Sequence, residues 1–225
     1  MSLEALLLTL RLAVLVSLIL MAIGLPLGYW LASSRWRWKF IVEAIVALPI
    51  VLPPTVLGYY VLVAIGPLSP VGRWYHAVTA SSLAFTFRGL VVGSVLYSLP
   101  FAVQPIAAAF SAVDRNLLNA SATLGASPWR TFWQIVFPLG LPGVLTGFVL
   151  SFAHTLGEFG VVLMIGGNIP GATQTISIWI YDQVQALNYR AANQMAALLL
   201  VVCFVILTVL YGLRRKGKWV VWGWQ

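Results

Sequence analysis

The sequence predicts an all-α integral membrane protein with about five transmembrane helices, and three observations carry that expectation. Of its 225 residues, 61% are hydrophobic and only 8% charged, giving a mean hydropathy of +0.96. In soluble domains about a quarter of residues are charged. Apolar runs of roughly 20 residues recur, long enough as helices to cross a hydrocarbon core of about 30 Å. Basic residues gather at alternate connections instead of being spread evenly. Such spans fill the chain, so one transmembrane domain over 1–225 is expected.

The first span is read at 8–32. Its start, MSLEALLLTL, has no basic n-region and the run reaches Leu31, too long for the apolar core of a signal peptide, so the helix is expected to be retained. The second, 40–64, holds Pro49, Pro53 and Pro54 in LPIVLPPTVLGYY. Proline removes a backbone hydrogen bond and kinks a helix. The kink is either plainly structural or marks a helix lining a transport cavity. The third span is read at 89–110, the fourth at 138–165 and the fifth at 193–213. Cys203, the single cysteine, falls in the fifth as a small packing residue. Each span is apolar on most faces, as required where no water can satisfy the backbone.

Charge sets the direction. Arg35, Arg37 and Lys39 occupy the first connection, Arg115 and Arg130 the third, and Arg214, Arg215, Lys216 and Lys218 the C-terminus. With five spans these regions share one side and hold nine of the thirteen Lys and Arg. The positive-inside tendency makes that side cytoplasmic. The N-terminus, with Glu4 and no basic residue before Arg11, is then outside and the C-terminus inside. The net charge of +8 reads as a topology signal, and nucleic acid is not an expected partner. Segments 65–88 and 166–192 fall outside, where Trp74, Tyr75, Trp179 and Tyr181 suit the lipid interface. The tail WVVWGWQ suits the inner membrane surface.

The cytoplasmic segment 111–137 interrupts the apolar pattern with two short helices. Asp114 opens the first, in which Leu117, Leu118, Ala122 and Leu124 supply apolar contacts between the more polar Asn119, Ser121 and Thr123. Gly125 ends it, since the residue after a helix often needs a positive φ. Ser127 and Pro128 start the second as N-cap and first-turn proline. Trp129, Phe132, Trp133 and Val136 form its apolar face, and Pro138 and Pro142 mark entry to the fourth span. The result is a compact knob, read either as a docking element or as an ordinary interfacial connection.

Chemistry within the chain is sparse. GLRRKGKW at 212–219 matches GxxxxGK, but Trp219 stands where a phosphate loop needs Ser or Thr for Mg²⁺, and no βαβ context surrounds it. His76 and His154 are far apart, and Glu4, Glu43, Asp114, Glu158 and Asp182 show no pairing for acid–base work. No catalytic residue, metal site or cofactor site is expected. Glu158, in LGEFG, falls within the fourth span, where an unpaired charge is costly and usually faces a cavity or partner. It is read as structural or gating, paired with Arg88 or His154 or protonated; a residue touching water at the outer interface is the alternative.

The segment NASATLGASPWRTFWQIVFP resembles the coupling loop of ABC-importer permeases, with Ala120, Ser121, Gly125, Ala126, Ile135 and Pro138 on or near its pattern. LPIVLPPTVLGYYVL, TLGASPWRTFWQIVFPLGLPGVLTG, FAHTLGEFGVVLMIGGNIPGATQTI and IYDQVQALNYRAA, in that order, resemble the molybdate permeases among them. The resemblance implies a type I ABC importer permease architecture that moves molybdate inward by alternating access. It implies a homodimer, two cytoplasmic ABC ATPase subunits that hold ATP and Mg²⁺, an extracytoplasmic molybdate-binding protein, and a multi-pass place in the plasma membrane among its lipids. The ATPases would dock on Leu118, Asn119, Ala120, Ser121, Gly125, Ala126, Ser127, Pro128, Trp129 and Arg130. One departure stands out: Leu118 and Asn119 occupy the opening of the loop, where the family places an acid.

The resemblance also favours a pathway or gate at Pro49, Pro53, Pro54, Thr55, Ser94, Ser98 and Glu158, with the three hydroxyls as donors to a passing oxyanion. Tungstate or sulfate is the rival cargo. An ion-coupled secondary transporter would need intramembrane ionisable groups, for which only Glu158 qualifies. A purely structural membrane subunit would tolerate Gly125→Trp.

Overall fold

The computed structural model describes residues 3–216, and the regular structure among them is entirely helical. The first helix, α1 (Leu3–Ser33), carries Glu4 in its first turn and Pro26 in its interior. Its C-terminal end is closed from the next element, because Lys39 Nζ donates to the Leu31 carbonyl at 3.1 Å. A cation there complements the negative end of the helix dipole.

The second span differs from the continuous 40–64 helix that the sequence predicts. Two helices, α2 (Lys39–Val51) and α3 (Pro54–Ile65), meet at a bend of 115°. The cause is local: a residue before proline is pushed out of the α region. Leu52 and Pro53 each precede a proline, and both have ψ of 136°. Pro54 then starts α3 at a position where its missing N–H is not needed. The double proline therefore ends one helix and begins another, while Pro49 is carried inside α2.

Helix α4 (Pro70–Thr79) is capped by Ser69, whose hydroxyl accepts from Gly72 N at 2.8 Å. Helix α5 (Phe87–Ser111) follows, capped by Thr86. After α6 (Arg115–Thr123), the chain forms α7 (Pro128–Thr131), a π turn (Phe132–Val136) and α8 (Phe137–Gly157) without interruption. The predicted second short helix is thus the first turn of a 30-residue element, Pro128–Gly157. Pro138 accounts for the π turn. Inside an α-helix its ring would strike the carbonyl four residues back, and a wider turn relieves that clash. Phe137 N–H accordingly reaches back five residues, to Phe132 O.

The same element stops earlier than the predicted 138–165 span. It ends at Gly157, and α9 (Gly160–Gly166) begins after a break at Glu158 and Phe159. Helices α10 (Ile176–Gln185) and α11 (Tyr189–Lys216) complete the described chain. Residues 212–216 of GLRRKGKW are helical and not a loop; the rest of that motif and WVVWGWQ lie outside the described residues. Among the described residues four elements are long and apolar enough to cross a membrane, and the bent pair α2–α3, counted as one span, makes five.

Helices α1, α5 and α8 pack on one another at the centre. α1 and α5 run parallel: Gly24 and Gly28 meet Ile106 near one end, and Arg11 stacks over Phe87 at 4.8 Å near the other. α8 runs antiparallel to α5 at very close range. A Cβ on Gly143 would fall 2.6 Å from the Pro105 carbonyl oxygen, and one on Gly147 2.8 Å from that of Ala102. Only glycine lets these backbones approach so closely. The ends of α1 and α5 and the start of α7–α8 therefore share one face, which carries the α6–α7 turn. The start of α1, α4, the α8–α9 break and the start of α10 share the other. There Thr9 of α1 accepts from Ile176 N at 2.8 Å, capping α10 across 167 residues.

Candidate functional site

The α6–α7 turn is built from local capping. Asp114 accepts from Asn116 N at 2.8 Å and opens α6. At the other end Gly125 has φ of +76°, its N–H bonds Ala122 O at 3.0 Å, and Ala126 N–H bonds Ser121 O at 3.1 Å. This pair of bonds is a Schellman closure, which needs a left-handed residue at Gly125. Ser127 caps α7, with Pro128 at its first position. A side-chain bond then ties the two helices, Ser121 Oγ to Thr131 Oγ1 at 2.7 Å.

The frame holds its apolar side chains outward. Leu124 is 87% exposed and Trp129 71%, with Leu117 and Trp133 also exposed. The sequence predicts apolar contacts for Leu117 and Leu124 and a more polar character for Ser121. In the structure Ser121 is buried and the two leucines are exposed. Leu118 alone of the predicted contacts in this helix joins the core, beside Phe110, Val113 and Val136. Ala120, Asn119, Gly125, Ser127, Pro128 and Arg130 are all exposed, and Ala126 is half-buried. Arg130 Nε is turned back along its own helix, onto Gln134 Oε1 at 3.0 Å.

On the opposite face, the α8–α9 break opens a cavity of about 580 Å³ lined by α3, α5, α8 and α9. Pro54, Thr55, Tyr97, His154 and Glu158 contribute to its wall. Glu158 is 5% exposed, and among the described residues neither carboxyl oxygen has a hydrogen bond of good geometry. Ser94, wholly buried, faces that carboxyl and bonds no other group among them. Arg88 and His154, the expected partners of Glu158, are engaged elsewhere. Arg88 donates to the Tyr75 hydroxyl at 2.5 Å, a bond that holds that phenol below its ordinary value of 10.0.

His154 belongs to a polar ladder. Thr155 Oγ1 donates to the Ser151 carbonyl at 2.8 Å, which uses its only proton. In the 3.1 Å contact between Ser98 Oγ and Thr155 Oγ1 the donor must therefore be Ser98. Ser98 then accepts from His154 Nδ1–H at 2.9 Å. Proton counting fixes the tautomer, and stacking of the ring on Phe101 at 4.0 Å fixes its plane. Ser98, predicted as a donor to a passing oxyanion, has its hydroxyl committed here and does not line the cavity. Among the described residues no three His, Cys, Asp or Glu side chains could hold a metal ion.

A family model for the inner membrane component of binding-protein-dependent transport systems matches residues 24–217. The chain belongs to this family. It is similar to the molybdenum transport system permease protein ModB of Azotobacter vinelandii, with 50% identity over 213 residues, 95% of this chain and 94% of that protein. The corresponding protein of Haemophilus influenzae is 39% identical over 178 residues, 78% of each chain. In fold it resembles a chain of a bacterial alginate ABC transporter solved with its periplasmic protein, at a TM-score of 0.78 and 20% identity. That match covers 95% of this chain and 78% of the other.

As a member of the permease family, the chain is a multi-pass membrane protein and a subunit of an ABC transporter. Ala120, Ser121 and Gly125, which carry the resemblance to the family's coupling loop, frame the α6–α7 turn. The cavity brings Pro54, Thr55 and Glu158 together, with Ser94 against the carboxyl, but leaves Pro49 inside α2 and Ser98 in the ladder. Tyr97, Ser151, His154 and Thr155 were not singled out as site residues by the sequence. The only signal for them was two hydroxyl residues in an apolar helix, ending in His154-Thr155 ahead of Glu158.

Proposed function

We propose that this chain is the membrane-spanning subunit of an ATP-driven importer that carries molybdate into the cytoplasm. The observation that carries this reading is the 50% identity, along nearly the whole of both chains, with a molybdenum permease. The N-terminus and the α4 and α10 face lie outside; the α6–α7 turn and the C-terminus lie in the cytoplasm, which the placement of basic residues supports. Two copies form a homodimer, because five spans of one chain enclose too little for a gated path.

Two ATPase subunits receive the α6–α7 turns. Leu124 and Trp129 insert into their grooves as apolar anchors, and capping by Asp114, Gly125 and Ser127 makes the turn stiff enough to transmit force. Ser121, Ala126 and Pro128 support that frame. Arg130 and Asn119 lie at its rim, and Leu118 in place of an acid leaves the contact dominated by packing. ATP and Mg²⁺ bind on the ATPases, and this chain holds no cofactor and catalyses nothing. ATP-driven closure of the ATPases rocks the spans between inward- and outward-open states. An extracytoplasmic molybdate-binding protein delivers the ion to the outer face, near the cavity at Glu158.

The cavity suits brief passage more than capture. Among the described residues lining it there is no Lys or Arg, so tight binding is left to the delivery protein. The test is uptake of labelled molybdate by cells lacking this protein, with and without its return, against excess tungstate or sulfate. Restored uptake that tungstate blocks and sulfate does not is the expected result. Uptake independent of the protein, or equal competition by sulfate, overturns the cargo.

A further inference from the structure

The carboxyl group of Glu158 is the buried ionisable group of the cavity wall that the described residues leave without a well-formed hydrogen bond. It is 95% buried by complement of its 5% exposure and lines the cavity. A buried polar group without a partner is destabilising and rare in native proteins, so it marks a place where something else binds or where the group changes state. Its surroundings supply no counter-charge. The titratable groups facing it are Tyr97 from α5 and His154 from α8; α3 contributes Pro54 and Thr55, and α9 only Gly160, Leu163 and Met164.

Resting on the importer reading above, we propose that Glu158 meets the passing ion as a neutral carboxylic acid, a hydrogen-bond donor in a transient site for a tetrahedral oxyanion. The hydroxyls of Thr55 and Tyr97 are the other donors on the wall. The choice of protonation state follows from magnitudes. A carboxylate and a dianion in contact in a poorly solvated site repel by several times what a neutral hydrogen bond returns. Among the described residues no Lys or Arg lines the cavity to offset that repulsion. A carboxylic acid removes the repulsion and adds a donor to the anion without breaking any bond. Buried Ser94, whose hydroxyl likewise makes no bond of good geometry among the described residues, is placed beside the carboxyl to settle its second oxygen as the proton changes position. Because every donor is uncharged, the ion is held weakly and can leave.

The side chain is a site residue under this proposal and not a gate charge, and substitution separates the two. The complete transporter, reconstituted in vesicles with its ATPase and binding protein, is assayed for ATP-dependent molybdate uptake as wild type, Glu158→Gln and Glu158→Leu. Leucine fills the space with no donor and lowers uptake by about tenfold or more, the worth of one hydrogen bond to an anion. Glutamine, a permanently neutral donor, restores most of it. The ratio of wild-type to Glu158→Gln uptake is then followed with pH, which cancels the ATPase's own pH dependence and that of Tyr97 and His154. Only the protonated form of Glu158 passes the ion, so that ratio falls as the pH rises.

Three results overturn the proposal: glutamine as damaging as leucine, leucine as active as wild type, or a ratio that does not change with pH. Where Glu158→Leu fails to assemble with the ATPase, the pH ratio decides alone. Failure of the importer reading looks different, since wild-type vesicles would then take up no more molybdate than protein-free ones.

Discussion

The α6–α7 turn and the α8–α9 break are opposite kinds of incompleteness. The turn has both of its helix ends capped and displays apolar side chains to solvent, Leu124 and Trp129 above all. The break hides polar groups, Glu158 and Ser94, that make no bond of good geometry among the described residues. A folded chain normally avoids both arrangements, the first for its apolar exposure and the second for its desolvation. On the importer reading proposed above, each is completed from outside the chain, the turn by an ATPase surface and the break by the passing oxyanion. On that reading the stiff region transmits and the unsatisfied region receives.

The sharpest way to break this comparison is to charge the turn. Leu124→Asp leaves the capping frame untouched but places a carboxylate where an apolar groove must close. Uptake should fall about a hundredfold, because burying an unpaired charge costs several kcal/mol. The variant should still accumulate in the membrane, as measured by quantitative blotting; normal uptake would show that Leu124 does not dock.

A smaller effect is expected in the polar ladder. Ser98→Val strands the Nδ1–H of His154 and should lower stability by about 1–3 kcal/mol, read as an earlier thermal midpoint of the purified subunit. Next comes Gly125→Ala, which forces a side chain into the left-handed region at φ +76°. It should cost about 1 kcal/mol and weaken binding of the ATPase about fivefold. No side chain lies within 4 Å of that position, so backbone strain is the whole effect. The smallest change should come from Ser94→Ala. Ser94 is as buried as Ser98 and one turn away on α5, yet its hydroxyl faces only the Glu158 carboxyl and makes no bond of good geometry among the described residues. Its removal should shift stability by less than about 0.5 kcal/mol, while Ser98→Val does not. Equal midpoints for the two variants would remove the distinction between the ladder and the cavity.

The same contrast explains what could be read in the sequence. Capping is local, so Asp114, Gly125 and Ser127-Pro128 announced the turn and its boundaries. Composition and basic clustering announced the spans. The double proline announced an interruption, but not a 115° bend, because the direction of α3 is set by its packing on α9, with Gly58 against Met164. The π turn was hidden because Pro138 reads equally well as the start of a new helix. The ladder was hidden for another reason: Ser98 and His154 are 56 residues apart and meet only because glycines draw α5 and α8 together. The exposure of Leu124 was not legible because a nine-residue helix has too few apolar positions to say which face is covered.

The bond from Ile176 N to Thr9 reaches beyond the folded state, into the order in which the chain is made. α1 leaves the ribosome first, and α10 follows 167 residues later. The acceptor that caps α10 is therefore already waiting when α10 emerges, and no residue of its own neighbourhood replaces it, since Thr175 makes no side-chain cap. A chain shortened by its first ten residues would still present most of its apolar spans for insertion, and Ile178 would still find the core, yet α10 would arrive without the acceptor that closes its first turn.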